Sequence, residues 1–209
     1  MVEPSARFEE LQIPLAESVD DLRHVSAVLG IPQWWPTGSR VGVVLAHGRG
    51  ESLADPLIEH LQRELTERRY LTLRFNFPFA EQGKRQPDPA AVLRRTYQAA
   101  IAVLGRDPTA APAHLFLGGK GVGAQAAAAL ATRLRLDGLF FLGFPLHPQD
   151  KPEKARADEL YRIISPMLFV QGTRDRYCDL DTLRQTLSRV GAPIALHVAE
   201  EADHRFKVL

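Results

Sequence analysis

The sequence has a single cysteine, Cys178, among 209 residues. One cysteine excludes an internal disulfide and a zinc site built from thiolates. No apolar run reaches the roughly 18 residues of a membrane span, and the first residues, 1–10, lack the apolar core of a signal peptide. Acidic and basic residues nearly balance at a net charge of +1, which gives no reason to expect nucleic acid or an anionic membrane as partner. We therefore expect a soluble, cytoplasmic protein, with no metal and no cofactor.

What the chain does contain is typical of a globular enzyme-sized domain. Apolar residues make up 45% of the chain and charged residues 24%, which are ordinary values for a folded soluble protein. A chain of this length buries a hydrophobic core without disulfides or metals. We expect one domain over residues 1–209.

The pattern of apolar residues predicts an α/β fold. Segments 8–14 and 25–31 predict two antiparallel strands at the start of the chain. After them, short apolar runs alternate with segments of helical period, which is typical of a mostly parallel sheet with helices on both faces. We expect about eight strands in all. The further predicted strands are 40–46, 70–75, 113–117, 139–142, 167–170 and 194–198; the predicted helices are 55–69, 90–104, 124–133, 152–163 and 180–190, and segment 76–89 is a predicted loop.

Four loops at the carboxyl ends of predicted strands carry the residues of chemical interest. They are His47–Gly50, Gly119–Gly123, Gln171–Asp175 and Ala202–His204. In parallel sheets the functional residues gather at this edge. A glycine turn between a strand and a helix, followed by an acid and then a histidine, is the chain order in which α/β-hydrolases place nucleophile, acid and base.

The glycine turn lacks the residue that such a site needs most. In the pattern G-x-S-x-G, which is called the nucleophile elbow, the serine is the nucleophile, and Gly121 stands at that position. The turn is strained and usually has a positive φ, which glycine adopts more easily than serine. Losing the serine therefore relaxes the turn and removes the hydroxyl that would attack a substrate.

Several further segments carry a family resemblance: Leu45–Gly50, Arg74–Pro78, Gly143–Pro148, Phe169–Asp175 and Asp203–His204. Through them the chain resembles the α/β-hydrolase superfamily, and within it a small bacterial group without a lid domain, akin to dienelactone hydrolases and testis-expressed hydrolase-like proteins. The resemblance implies an α/β-hydrolase fold with no lid domain and a small-molecule ester or carbonyl ligand.

The resemblance also implies a role for individual residues. Asp175 would be the acid of a catalytic triad and His204 its general base. The backbone amides of Val122 and Arg49, with Gly50 close by, would form an oxyanion hole. Gly121 departs from this pattern, because glycine stands where the nucleophilic serine would be.

Three functional hypotheses follow. The first is a relative of serine esterases that has lost its nucleophile and has very weak or no covalent hydrolysis. The second is a non-catalytic module that binds a ligand or a protein on the same fold. The third is an active esterase or thioesterase that is represented by a serine-to-glycine variant.

Other residues were weighed as substitutes for the missing serine. Ser52 lies near the loop His47–Gly50 (the oxyanion loop), but we interpret it as the cap of the following helix. Cys178 lies near Asp175, and we interpret it as a small apolar loop residue. Lys120, next to Gly121, is interpreted as a solvated side chain.

A last group of residues has a functional and a structural interpretation. His47 is interpreted as a structural loop histidine, whereas His147 either lines the pocket or is a polar residue of its rim. Adjacent Trp34 and Trp35 predict an apolar knob for core packing or a subunit contact. Four arginines could bind an anionic substrate, but solvation or ion pairing is the favoured interpretation; they are Arg74, Arg85, Arg94 and Arg95.

Overall fold

The computed structural model describes residues 6–208 of the chain. Eight strands form one sheet in the order β1-β2-β4-β3-β5-β6-β7-β8. The pairs β1–β2 and β2–β4 are antiparallel, and the remaining neighbours are parallel. The strands are β1 (Arg7–Val19), β2 (Leu22–Ile31), β3 (Val41–Ala46), β4 (Leu71–Phe75), β5 (His114–Lys120), β6 (Gly138–Leu142), β7 (Met167–Gly172) and β8 (Ile194–Ala199).

Helices lie on both faces of this sheet, as the sequence predicts. The helices are α1 (Pro56–Glu67), α2 (Pro78–Glu81), α3 (Ala90–Leu104), α4 (Val122–Ala131) and α5 (Leu180–Leu187). Ile58 of α1 packs with Val43 and Leu45 on one face, whereas α3 and α4 contribute to the large cluster that contains Val44 and Ala46 on the other. Strand β3 is apolar throughout because both of its faces are covered. Within residues 6–208 no helix is long and apolar enough to cross a membrane.

The predicted helix over 152–163 is wrong. The structure has two single 3₁₀ turns there, Pro152–Lys154 and Leu160–Arg162. Between them the amide of Arg156 donates to the carbonyl oxygen of Leu146, 2.9 Å away, instead of to a carbonyl one helical turn earlier. A contact distant in sequence therefore overrides the local helical pattern.

The first helix begins later than its predicted Ser52 cap. Asp55 caps α1, because its carboxylate accepts the amides of Leu57 and Ile58 at 3.1 Å each. Ser52 instead accepts the amide of Ala54 within the preceding turn. The predicted loop over 76–89 contains the one-turn helix α2.

The tryptophan pair divides into one packed and one exposed side chain. Trp35 packs against the core, and its indole nitrogen donates to the carbonyl oxygen of Ala110 at 2.9 Å. Trp34 remains 66% exposed. Trp35 thus joins the ribbon region to the core.

Candidate active site

The candidate site lies at the carboxyl edge of the sheet, where the ends of β3, β5 and β7 meet the loop that follows β8. A cleft of about 710 Å³ opens there. Its lining includes Arg49 and Gly50 after β3, Val122 at the start of α4, and His204 after β8. The topology therefore brings together the four loops that the sequence singles out.

A tight turn joins β5 to α4 at Gly121. Its backbone angles are φ 53° and ψ −117°, a conformation that residues with a side chain rarely adopt. The helix start also approaches β3 closely, since a Cβ on Gly123 would lie 2.7 Å from the carbonyl oxygens of Ala46 and His47. The glycines thus allow a sharp turn directly above the sheet.

Asp175 and His204 form a hydrogen-bonded pair. The Nδ1 of His204 lies 2.8 Å from the Oδ2 of Asp175. A carboxylate only accepts hydrogen bonds, so Nδ1 carries the proton and donates it. In a neutral imidazole this tautomer leaves the lone pair on Nε2. The arrangement matches the acid and base of a catalytic triad.

Neighbouring groups fix the orientation of Asp175, whose side chain is fully buried. The amide of Tyr177 donates to Oδ1 at 2.8 Å, and the side-chain nitrogen of Gln171 donates to Oδ2 at 2.6 Å. Gln171 is itself oriented because its oxygen accepts the amide of Phe144 at 3.0 Å. Gln171 lies in the segment 169–175, which carries the family resemblance, but no local pattern in that segment predicts its contact with Asp175.

The free nitrogen of His204 faces Gly121. A Cβ on Gly121 would lie 3.2 Å from His204 Nε2 and 3.7 Å from the Cα of Gly48. A side chain at this position would therefore stand directly beside the candidate base. Gly121 is thus next to His204, and His204 is hydrogen-bonded to Asp175.

Short-range contacts hold the loop that carries His204. The Asp203 carboxylate accepts the amides of Arg205 and Lys207 at 2.8 and 2.9 Å. The Asp203 amide donates to the carbonyl oxygen of Lys207 at 3.0 Å, and Ala202 and Val208 form an isolated β-bridge. The side chain of Asp203 thus closes a turn around the histidine.

Three backbone amides are available to an oxyanion. Among the residues that the structure describes, the amides of Arg49, Gly50 and Val122 have no hydrogen-bond acceptor. All three residues line the cleft. The Val122 amide also belongs to the N-terminus of α4, where the helix dipole favours negative charge. The geometry fits the proposed oxyanion hole.

His47 is part of the protein interior. It is fully buried, its Nε2 accepts the amide of Phe77 at 3.1 Å, and its Nδ1 lies 2.9 Å from the carbonyl oxygen of Gly48. Burial lowers the pKa of His47 below its ordinary value of 6.5. A neutral imidazole that donates from Nδ1 satisfies both contacts and shapes the loop before the oxyanion amides.

Lys120 is not the solvated side chain that its position suggested. It is 4% exposed, and its Nζ lies 2.7 Å from Glu51 Oε1 and 2.9 Å from Asp55 Oδ2. The other Glu51 oxygen accepts the amide of Gly48 at 3.0 Å. This buried ion triad of Lys120, Glu51 and Asp55 connects the end of β5 to the oxyanion loop and to the cap of α1.

The other residues considered as nucleophiles or pocket residues have structural surroundings. Cys178 is buried, and burial raises the pKa of its thiol, which disfavours the reactive thiolate. His147 is also buried, with Nε2 accepting the amide of Asp179 at 2.8 Å and Nδ1 bonded to the carbonyl oxygen of Pro148. Ser52 is absent from the lining of the cleft.

Only one of the four arginines considered for anion binding, Arg85, lines the cleft. Arg74 donates to the carbonyl oxygen of Leu53 and pairs with Glu59, and Arg95 pairs with Glu17. Burial raises the pKa of Glu159, and the nearby positive charge of Arg94 partly opposes this rise. Within residues 6–208 no group of three or more His, Cys, Asp or Glu side chains could hold a metal ion.

Comparison with known proteins identifies the family. The sequence model of the α/β hydrolase domain family matches residues 39–209 of the chain. The chain therefore belongs to the α/β hydrolase family. This confirms the resemblance and the fold class expected from the sequence.

Solved structures of this fold are similar over nearly the whole chain. A dienelactone hydrolase from Anabaena variabilis is 18% identical with a TM-score of 0.76, and the match covers 98% of this chain and 90% of that one. A lidless α/β serine hydrolase from Xanthomonas campestris is 19% identical with a TM-score of 0.72, over 98% and 89%. A serine hydrolase homologue from Coxiella burnetii is 18% identical with a TM-score of 0.76, over 94% and 88%. At these identities the similarity shows the fold.

Proposed function

We propose that this protein keeps the acid–base pair and the oxyanion amides of a serine esterase but lacks covalent catalysis. The observation that carries the proposal is the position of Gly121, where a side chain would stand 3.2 Å from the free nitrogen of His204. In a serine enzyme the hydroxyl attacks the ester carbonyl, the histidine accepts its proton, and the acid orients the imidazole. Here no hydroxyl is present at that point.

Without the hydroxyl, only weak chemistry is left to the site. His204 could take a proton from a water molecule that attacks the carbonyl directly, while the amides of Arg49 and Val122 stabilise the oxyanion. In a well-studied serine protease, removal of the nucleophile lowers kcat by roughly 10⁶ and leaves roughly 10³–10⁴ over water. We therefore expect ester hydrolysis that is barely measurable.

A second candidate function is the non-catalytic binding of an ester or carbonyl ligand. The cleft of about 710 Å³ is of the size that small-molecule sites have. Its unpaired amides would donate hydrogen bonds to the carbonyl oxygen of a ligand without any reaction. We also propose that the ligand is a small molecule rather than nucleic acid or a membrane. We further propose that the protein works in the cytoplasm of a bacterium, and cell fractionation tests this location.

Hydrolysis of p-nitrophenyl butyrate by three forms of the protein tests the proposal. The natural sequence, Gly121→Ser and Gly121→Ala differ only at the elbow, and Gly121→Ala is the control for adding a Cβ without a hydroxyl. We expect Gly121→Ser to gain at least about a hundredfold over both other forms, a small part of what a nucleophile supplies. Turnover by the natural sequence near the usual enzymatic rate of about 10 s⁻¹ would contradict the proposal. A silent Gly121→Ser protein that folds normally would favour the binding function.

A further inference from the structure

The cleft continues into a second cavity of about 550 Å³. Val122 and Gln125, on the first turn of α4, line both spaces. The candidate oxyanion amide of Val122 therefore lies at the boundary between them. A ligand whose carbonyl sits at this amide would extend one half into each space.

The two spaces differ in charge. Six cationic side chains line the first, against the two acids Glu51 and Asp203. In the second, Arg156 is outnumbered by Asp88, Asp158 and Glu159. An anionic group is therefore favoured in the first space and disfavoured in the second. The six cationic residues are Arg49, Arg85, Lys120, Arg174, Arg176 and Arg205.

Most of the cations in the first space already have a carboxylate partner. Arg174 pairs with Glu201, and Arg176 pairs with Asp150. Lys120 and Arg205 share Glu51, at 2.7 and 3.3 Å. These four positive charges are largely compensated within the protein.

Arg49 and Arg85 are different. Among the ion pairs of residues 6–208 neither arginine has a partner, and Arg49 donates only to the neutral side-chain oxygen of Gln86 at 2.7 Å. Arg49 precedes Gly50 in the chain, and Arg85 lies beside the same residue, since a Cβ on Gly50 would be 3.9 Å from Arg85 Nε. Two guanidinium groups without a carboxylate partner thus lie beside the oxyanion loop. They can bind a carboxylate of the ligand through charge-assisted hydrogen bonds.

The second cavity has an apolar wall beneath its acidic rim. Leu93, Phe144 and Leu160 are buried and form part of this wall. Asp88 on the rim is partly buried, whereas Asp158 and Glu159 are exposed, so the apolar wall is the sheltered part of this space. Such a space suits an alkyl or aryl group better than a charged one.

We propose that the ligand of this site is a two-part ester, with a carboxylate bound by Arg49 and Arg85 and an apolar group in the cavity beside Leu93, Phe144 and Leu160. The ester carbonyl would lie between the two, at the Val122 amide. This inference rests on the proposed function, because it uses the same oxyanion amides. It adds the direction in which the substrate lies and the charge that it carries.

Three esters of matched length test the charge preference without any turnover. They are monohexyl adipate, which is anionic, hexyl methyl adipate, which is neutral, and hexyl 6-aminohexanoate, which is cationic. Isothermal titration with the natural sequence should show that the anion binds at least about tenfold more tightly than the neutral ester. The preference should shrink at about 0.5 M salt, because salt screens exposed charges.

Variants locate the two halves of the ligand. Arg85→Gln, alone or combined with Arg49→Gln, should reduce the ratio of the affinities for the anionic and the neutral ester to about one. The control Arg106→Gln removes an exposed charge outside the cleft and should leave this ratio unchanged. Ala129→Leu narrows the second cavity. It should therefore weaken the binding of monohexyl adipate about tenfold more than the binding of monomethyl adipate. Thermal melting verifies that each variant folds.

The outcomes separate this inference from the proposed function. No binding, equal binding of the three esters, or an anion preference that survives the double variant would overturn the inference. None of these results depends on hydrolysis. Conversely, tight binding of monohexyl adipate beside an inactive Gly121→Ser protein would support the inference and reject the esterase origin of the site.

Discussion

His204 directs its Nε2 at Gly121, 3.2 Å from the point where a Cβ would stand. The other ring nitrogen is held by Asp175 at 2.8 Å. The imidazole is therefore fixed by the acid on one side and faces a residue without a side chain on the other. A serine side chain at residue 121 would begin beside Nε2 of His204.

Adding a side chain at the elbow should cost stability. Gly121 has φ +53°, and a non-glycine residue held in such a region costs of order 1–3 kcal/mol. We expect Gly121→Ser and Gly121→Ala to lower the free energy of unfolding by similar amounts in urea denaturation. Gly191→Ala is the control, because a Cβ at that position would lie in open space and Gly191 does not have a positive φ. Equal stability of the Gly121 and Gly191 variants would show that the turn is not strained.

Asp175 should matter for activity once a nucleophile is restored. In the Gly121→Ser background, Asp175→Asn would turn an amide nitrogen toward either His204 or the Gln171 side chain, both of which donate to the native carboxylate. The corresponding change in a serine protease lowers kcat by about 10⁴, so we expect Asp175→Asn to remove most of the activity that Gly121→Ser restores. Esterase assays with Asp181→Asn, an exposed acid on α5, provide the comparison. A comparable loss in both variants would argue against a specific role for Asp175.

The buried ion triad should make Lys120 important for folding. Lys120→Met leaves Asp55 buried without a cation and leaves Glu51 with only the half-exposed Arg205. Breaking a buried pair in this way costs about 3–5 kcal/mol. Lys84→Met is the matched control, since Lys84 and Asp20 form an exposed pair worth at most about 1 kcal/mol. Chemical denaturation measures both.

Neutralising the whole triad tests the cause of that loss. The triple variant with Glu51→Gln and Asp55→Asn keeps acceptors for the Gly48 amide and for the cap of α1. It should be more stable than Lys120→Met alone, because no uncompensated charge remains. A triple variant less stable than the single one would mean that packing, not charge, explains the loss.

Stability should fall in mild acid partly because of His47. Burial lowers its pKa in the folded protein below 6.5, so below pH 6.5 the unfolded chain binds more protons than the folded one. The contribution of His47 is therefore fully present above pH 6.5 and is lost as the pH falls toward its folded pKa, by at most about 1.4 kcal/mol per pH unit. The free energy of unfolding, measured by denaturation at pH 7.5 and pH 5.5, should differ less between the two pH values for His47→Gln than for the natural sequence. The exposed His60→Gln variant should keep the full difference.

Local patterns were sufficient to predict most of the sheet and the longer helices. Strand β3 is a continuous apolar run because both faces are buried, and α3 occupies the predicted residues Ala90–Leu104. Segment 152–163 was predicted wrongly because its charged, helix-prone residues are drawn out of a helix by the contact of Arg156 with Leu146. Nothing in the local sequence indicates that contact.

The candidate site was predicted from motifs, but its support was not. The order of Gly121, Asp175 and His204 along the chain pointed to one edge of the sheet. Lys120 was misinterpreted because its partners Glu51 and Asp55 lie 69 and 65 residues away. Charge pairing over such distances depends on the topology and leaves no periodic signal in the sequence.

The positive φ at the elbow has an evolutionary consequence. Serine is strained in this turn and glycine is not, so selection for stability alone favours glycine. A serine persists there only while turnover of a substrate is itself under selection. Once that selection ceases, drift proceeds easily from serine to glycine, and the reverse change must arise against a loss of stability.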